Sequence, residues 1–181
     1  MQDFLDEQEQ EEEIAALERA AGGQAARTRT LMTAAGALLA TAYLALALHQ
    51  ALYPWQLLPA EMRAAEISSE SLIVGLLGGA VTVLVALAAV LAFGRREEAA
   101  WRKLLSLSVT LALFEAAFWG TVVVKLLMQP AYVRGELWRV LWLPLAPAGW
   151  VAAVVVVIDG MDKLGRQFGA LRAARYPLKR A

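Results

Sequence analysis

Four apolar runs, at residues 31–53, 72–93, 104–128 and 137–158, leave this chain few ways to fold. Each is 22 to 25 residues long, and a helix rising about 1.5 Å per residue needs about 20 residues to cross a hydrocarbon core about 30 Å thick. In lipid every backbone N–H and C=O must find its partner inside the protein, which a helix does within its own segment. Spanning helices are therefore predicted over all four runs. The breakers agree, since Pro54, Pro59, Gly94, Pro130 and Gly135 fall at the ends of runs or between them. A hydrophobic content of 59% and a mean hydropathy of +0.51 exceed the roughly 45–50% apolar usage of soluble domains. The expected fold class is all-α: a polytopic integral membrane protein, an antiparallel four-transmembrane-helix bundle with short loops.

The same pattern divides the chain into an acidic N-terminal segment (1–30), the transmembrane domain (31–158) and a basic amphipathic tail (159–181). Lysine and arginine set the expected orientation. Thirteen of them (Arg19, Arg27, Arg29, Arg95, Arg96, Arg102, Lys103, Lys163, Arg166, Arg172, Arg175, Lys179 and Arg180) lie on the side of the two termini and the second loop. Only Arg63, Lys125, Arg134 and Arg139 lie on the other. The positive-inside rule then predicts both termini in the cytoplasm. Alanine-rich usage tilts the expected membrane toward a bacterial inner membrane over a eukaryotic organelle. Tyr53, Trp55, Tyr132, Trp138 and Trp142 near one interface and Trp101 near the other read as aromatic anchors.

Residues 1–20 carry eight acids against Arg19 alone. Such a run reads as a helix ending at Gly22 and Gly23, as disorder, or as a segment that docks on a basic partner, for which the chain's own tail is one candidate. In that tail Met161, Leu164, Phe168 and Leu171 recur at helical spacing, with Lys163, Arg166 and Arg172 off their line. A helix lying on anionic lipid headgroups is one reading, and a solvated helical extension is the other. In the loop after the first run, Leu57, Leu58, Met62 and Ile67 alternate with Glu61, Arg63 and Glu66, which suggests a short interfacial helix starting near Pro59.

One residue breaks the apolar pattern. Glu115 stands eleven residues from Leu104 and thirteen from Met128, near the bilayer centre, where an ionised carboxylate costs at least about 2.5–3.5 kcal/mol. It should therefore face the bundle interior, carry a proton, or both. Lys125 is a poor partner, because ten residues amount to about 15 Å of rise. Trp119, one turn on, shares the face of Glu115, and Thr41 and Thr82 lie at similar depth on neighbouring helices. Pro144 and Pro147 release the carbonyls of Val140 and Leu143, which a protonated carboxyl could reach. Two roles suit Glu115: a polar clasp between helices, or a proton or cation relay. A conducting path normally needs ionisable groups at successive depths, and between the membrane ends Glu115 is alone.

Gly75 with Gly79, and Gly36 with Ala40, form small-xxx-small pairs that let helix backbones approach, expected first inside the bundle and second at a dimer contact. His49 and Gln50 share a membrane face with Glu61, Glu66, Glu70 and Glu136, but no ligand-like spacing joins them, so an interfacial histidine beside a solvated acidic loop is the simpler reading. Ser68, Ser69 and Ser71 read as caps of the second helix. With no cysteine, one histidine and no phosphate loop, dinucleotide fingerprint or HExxH, no cofactor or metal is expected. No basic surface suited to nucleic acid is evident. The functional expectation is a non-enzymatic membrane subunit or assembly and scaffolding factor, with a protein partner or a homo-oligomer implied. The rival is a small oligomeric channel or proton-coupled transporter built on Glu115.

Overall fold

A computed structural model describes residues 7–54, 56, 66–95, 97–128 and 138–175. They form four helices and, among the described residues, no strand: α1 (Glu7–Leu52), α2 (Ser69–Gly94), α3 (Glu98–Leu127) and α4 (Trp138–Arg175). Each contains a stretch long and apolar enough to cross a membrane. The interfacial helix expected after Pro59 falls outside the described residues.

Both terminal segments extend the helices of their apolar runs. α1 is one helix of 46 residues that passes through Gly22 and Gly23 without a break. Each glycine costs about 1 kcal/mol relative to alanine, but the pair is embedded in Ala, Glu, Gln and Arg, which are among the better helix formers. At the other end, residues 159–175 are not a separate tail helix. They continue α4 past Ile158 without interruption, because nothing between Asp159 and Arg175 removes a backbone donor.

The helix ends are closed by local chemistry. Ser68 sits in extended backbone as the N-cap of α2, its hydroxyl accepting the Ser71 N–H at 3.1 Å, with Glu70 in the first turn facing the positive end of the helix dipole. Ser68→Ala should cost about 1 kcal/mol, read as a lower unfolding midpoint in detergent. The other end of α2 is capped from α1, where Arg29 Nη1 donates to the Gly94 carbonyl at 3.2 Å and sets a cation against the negative end of the dipole. The connection to α3 is three residues, with Glu97 N–H bonded back to the Ala92 carbonyl and Glu97 C=O accepting from Ala100 and Trp101. Such a short connection forces α2 and α3 to run antiparallel side by side.

α2 is the centre of the bundle and packs against all three other helices, with further contacts between α3 and α4. The buried stripe of α1 is Gly36, Ala40, Tyr43, Ala47 and Gln50, a heptad-like 4-3-4-3 spacing made mostly of small residues. Its opposite face exposes Leu31, Leu38 and Leu48. The core falls into two apolar clusters. One, toward the far end, joins Tyr43, Leu72, Leu76, Trp119 and Leu143; the other, toward the termini, joins Ala86, Ala89, Trp101, Val151 and Ile158. Between them along α2 and α3 lie Thr82 and Glu115.

Candidate functional site

Gly79 is the point from which the site is built. A Cβ placed there would stand 2.6 Å from Glu115 Oε1 of α3 and 2.7 Å from the Tyr43 ring of α1. The missing side chain therefore lets a carboxyl and a phenol ring press on the same Cα from two helices. One turn away, Gly75 receives the Phe118 ring in the same manner, and Phe118 stacks edge-on with Trp119 at 5.5 Å. Gly36 gives room to Trp150, whose Cζ2 would lie 2.6 Å from a Cβ, and Ala40 is buried beside it on α1. All four small residues thus face into the bundle.

Glu115 is 7% exposed and Trp119 not at all. The Thr82 hydroxyl, also buried, and the Trp119 indole are the side-chain groups that approach the carboxyl. Neither contact closes to normal hydrogen-bond geometry: among the described residues both Glu115 oxygens and Trp119 Nε1 are buried without a partner. Lys125 is exposed.

Two expectations about this site are corrected. Thr41 does not contribute, because it is exposed on the outer face of α1, where its hydroxyl donates to the Ala37 carbonyl of its own helix at 2.8 Å. It stands two residues from Tyr43, about 200° around the helix. And the carbonyl that Pro147 leaves without an in-helix donor is taken by Tyr43, not by Glu115: the phenol O–H donates to the Leu143 C=O, joining α1 to α4 in a fully buried position. Trp142 meets the Tyr43 ring edge-on at 6.1 Å. Sequence reasoning passed over Tyr43. The available signal was its place on the line of Gly36, Ala40 and Ala47, where it is the one aromatic side chain in a stripe of mostly small residues.

At the far end, Gln50 is 2% exposed and its Nε2 donates to Ser69 Oγ at 3.0 Å, fastening α1 to the start of α2. His49 faces Tyr53 at 5.3 Å between ring centroids. Glu61 and Glu136 lie outside the described residues. Among the described residues no group of three or more His, Asp or Glu side chains converges as metal ligands would.

At the end that carries the termini, the extensions of α1 and α4 stand over the ends of α2 and α3 and enclose a cleft of about 910 Å³. Glu18, Arg29, Trp101, Asp162, Arg166 and Phe168 line it, with Met161 and Leu164. The apolar line of the tail thus borders this cleft. Lys163 pairs with Asp159 at 2.6 Å and Arg166 with Asp162, each one helical turn earlier. These exposed pairs are worth only about 0.3–0.5 kcal/mol each, yet they offset two of the charges assigned to headgroup binding. The Arg172 side chain lies outside the described residues.

Comparison of the chain with family models, with curated proteins and with solved structures finds no match in any of the three.

Proposed function

We propose that the protein is a non-enzymatic subunit or assembly factor of a membrane complex, with both termini in the cytoplasm, that meets its partner through the helical extensions of α1 and α4. The observation that carries this reading is the persistence of both helices well beyond their apolar runs, so that they flank a cleft of mixed character. A helix that continues unbroken outside the bilayer presents a regular set of side chains. On α1 that set includes the exposed Glu12 and Glu13, which suit a basic partner. Anionic headgroups remain a second counterpart for Lys163, Arg166 and Arg172, with the attraction reduced below about 1 kcal/mol per residue by the neighbouring acids.

Purification from mild detergent should bring down one protein partner in stoichiometric amount, and Glu12→Lys with Glu13→Lys should release it. Recovery of a monodisperse protein with no partner, from cells that express it at native level, would sink the reading. The orientation is checked separately. Reporter fusions at Ala181 and within 94–103 should read inside and one after Ala60 outside, as thirteen basic residues against four require.

The buried, unpartnered oxygens of Glu115 favour a second reading, a small channel or proton-coupled transporter. Against it, the segments 72–94 and 140–158 contain no ionisable side chain. Purified protein in liposomes should show no proton leak above empty vesicles, and flux that Glu115→Gln abolishes would make transport the reading to keep.

A further inference from the structure

Glu115 is enclosed on every side, and what surrounds it restricts what it can bind. No lysine or arginine lies in 31–52, 72–94 or 140–158, so no cationic side chain stands at its depth on the other three helices. The groups gathered there are a hydroxyl, an N–H and a phenol ring: Thr82 from α2, Trp119 from α3 and Tyr43 from α1. Tyr43 is the one titratable side chain that faces Glu115 from α1, and α2 and α4 present none. Trp119 N–H can only donate, which opposes a metal cation and suits a carboxyl in either protonation state. A cation larger than a proton would also need space that Gly79, Tyr43 and the carboxyl already fill.

The Tyr43 hydroxyl has an acceptor on α4, and its ring packs beside the Glu115 carboxyl. It donates to the Leu143 carbonyl, a neutral acceptor that Pro147 has freed. Its ring rests on the same glycine Cα as Glu115 Oε1. A hydrogen bond to an ionised carboxylate is about twice as strong as one to a neutral carbonyl, so a charged Glu115 would compete with Leu143 for the phenol.

We propose that Glu115 is a reversible proton-binding site and that Tyr43 relays its occupancy to α4. With the proton on Glu115, the phenol stays on the Leu143 carbonyl and ties α1 to α4. With the proton off, the carboxylate draws the phenol hydroxyl and the tie is released at the turn that Pro144 and Pro147 deprive of its own backbone hydrogen bonds. One proton passes between Glu115 and the aqueous phase, and no other bond is made or broken. The site shares Glu115 with the transport reading but does not need protons to cross the membrane.

The test uses the full chain in phosphatidylcholine vesicles and two readouts. Dicyclohexylcarbodiimide enters the bilayer and reacts with protonated carboxyls, so modification located at Glu115 should fall as the pH is raised, by about tenfold per pH unit once the carboxyl has begun to ionise. The chain has no cysteine, so spin labels on Leu38→Cys and Leu145→Cys, both lipid-exposed, report the α1–α4 distance without background. That distance should shift over the same pH range in the otherwise wild-type chain and stay fixed in Glu115→Gln and in Tyr43→Phe. Glu115 left unmodified at every pH, or modified equally at every pH, overturns the site. A titrating Glu115 with an unchanging distance in the wild-type background, or a shift that persists in Tyr43→Phe, overturns the role of Tyr43. The modification profile and the wild-type distance profile are both measured without altering Glu115 or Tyr43, so each can overturn the proposal even if a variant folds poorly. The liposome flux assay is independent: modification without flux removes the transport reading and leaves the site standing.

Discussion

Gly79→Leu should prevent the bundle from assembling, and Gly79→Ala should destabilise it by about 1–3 kcal/mol, the usual cost of overpacking. The two groups that a new Cβ would strike have little freedom to retreat. Tyr43 is fully buried and anchored through its hydroxyl to α4, and Glu115 is held in the interior. A clash here is therefore shared by three helices. Gly78 and Gly149 supply the controls, since a Cβ at either meets nothing within 4 Å. Alanine there should be neutral or stabilising by up to about 1 kcal/mol through helix propensity. Unfolding in mixed micelles, followed by tryptophan fluorescence, distinguishes the cases. Equal midpoints for Gly79→Ala and Gly78→Ala would show that the convergence of helices at this glycine is wrong.

Tyr43→Phe should cost about 0.6–1.7 kcal/mol, the range of interhelical hydrogen bonds measured in membranes, because it strands the Leu143 carbonyl in an apolar interior. The same substitution made on a Pro147→Ala background should cost under about 0.5 kcal/mol. Alanine at 147 returns an N–H, and the carbonyl regains an in-helix donor. Pro147→Ala alone should be mild, as a carbonyl oxygen has two lone pairs and can serve both donors. The coupling between the two sites, and not either single value, is the informative quantity. If Tyr43→Phe costs the same in both backgrounds, the phenol is stabilising something other than the carbonyl freed by proline.

The spans could be read from the sequence because length and apolarity alone determine them in a bilayer. Ser68 could be read as a cap because a hydroxyl before an apolar helix has few other uses. Which face of each helix is buried was harder. Lipid and protein interior are equally apolar, so the periodicity that orients a helix in a soluble protein is nearly absent here. Size was the remaining signal: Gly36, Ala40 and Ala47 turn inward while Leu31, Leu38 and Leu48 turn out. Followed through, that rule would have placed Tyr43 inside and Thr41 outside. The unbroken course of α1 was hard to read for a different reason. Gly22 and Gly23 signal an end only where the flanking residues are poor helix formers, and in the tail Asp159 and Asp162 offset part of the basic charge by pairing with Lys163 and Arg166.

An unbroken α1 also has the length of a lever. From Tyr43 to Glu7 the helix spans 36 residues, or about 54 Å at 1.5 Å per residue. A tilt of about 5° pivoting on Gly79 would then sweep the tip sideways by about 5 Å, roughly the pitch of one helical turn. A repacking of a fraction of an ångström around the glycine is thus enlarged, by leverage alone, to a displacement that a partner bound near Glu12 and Glu13 would register.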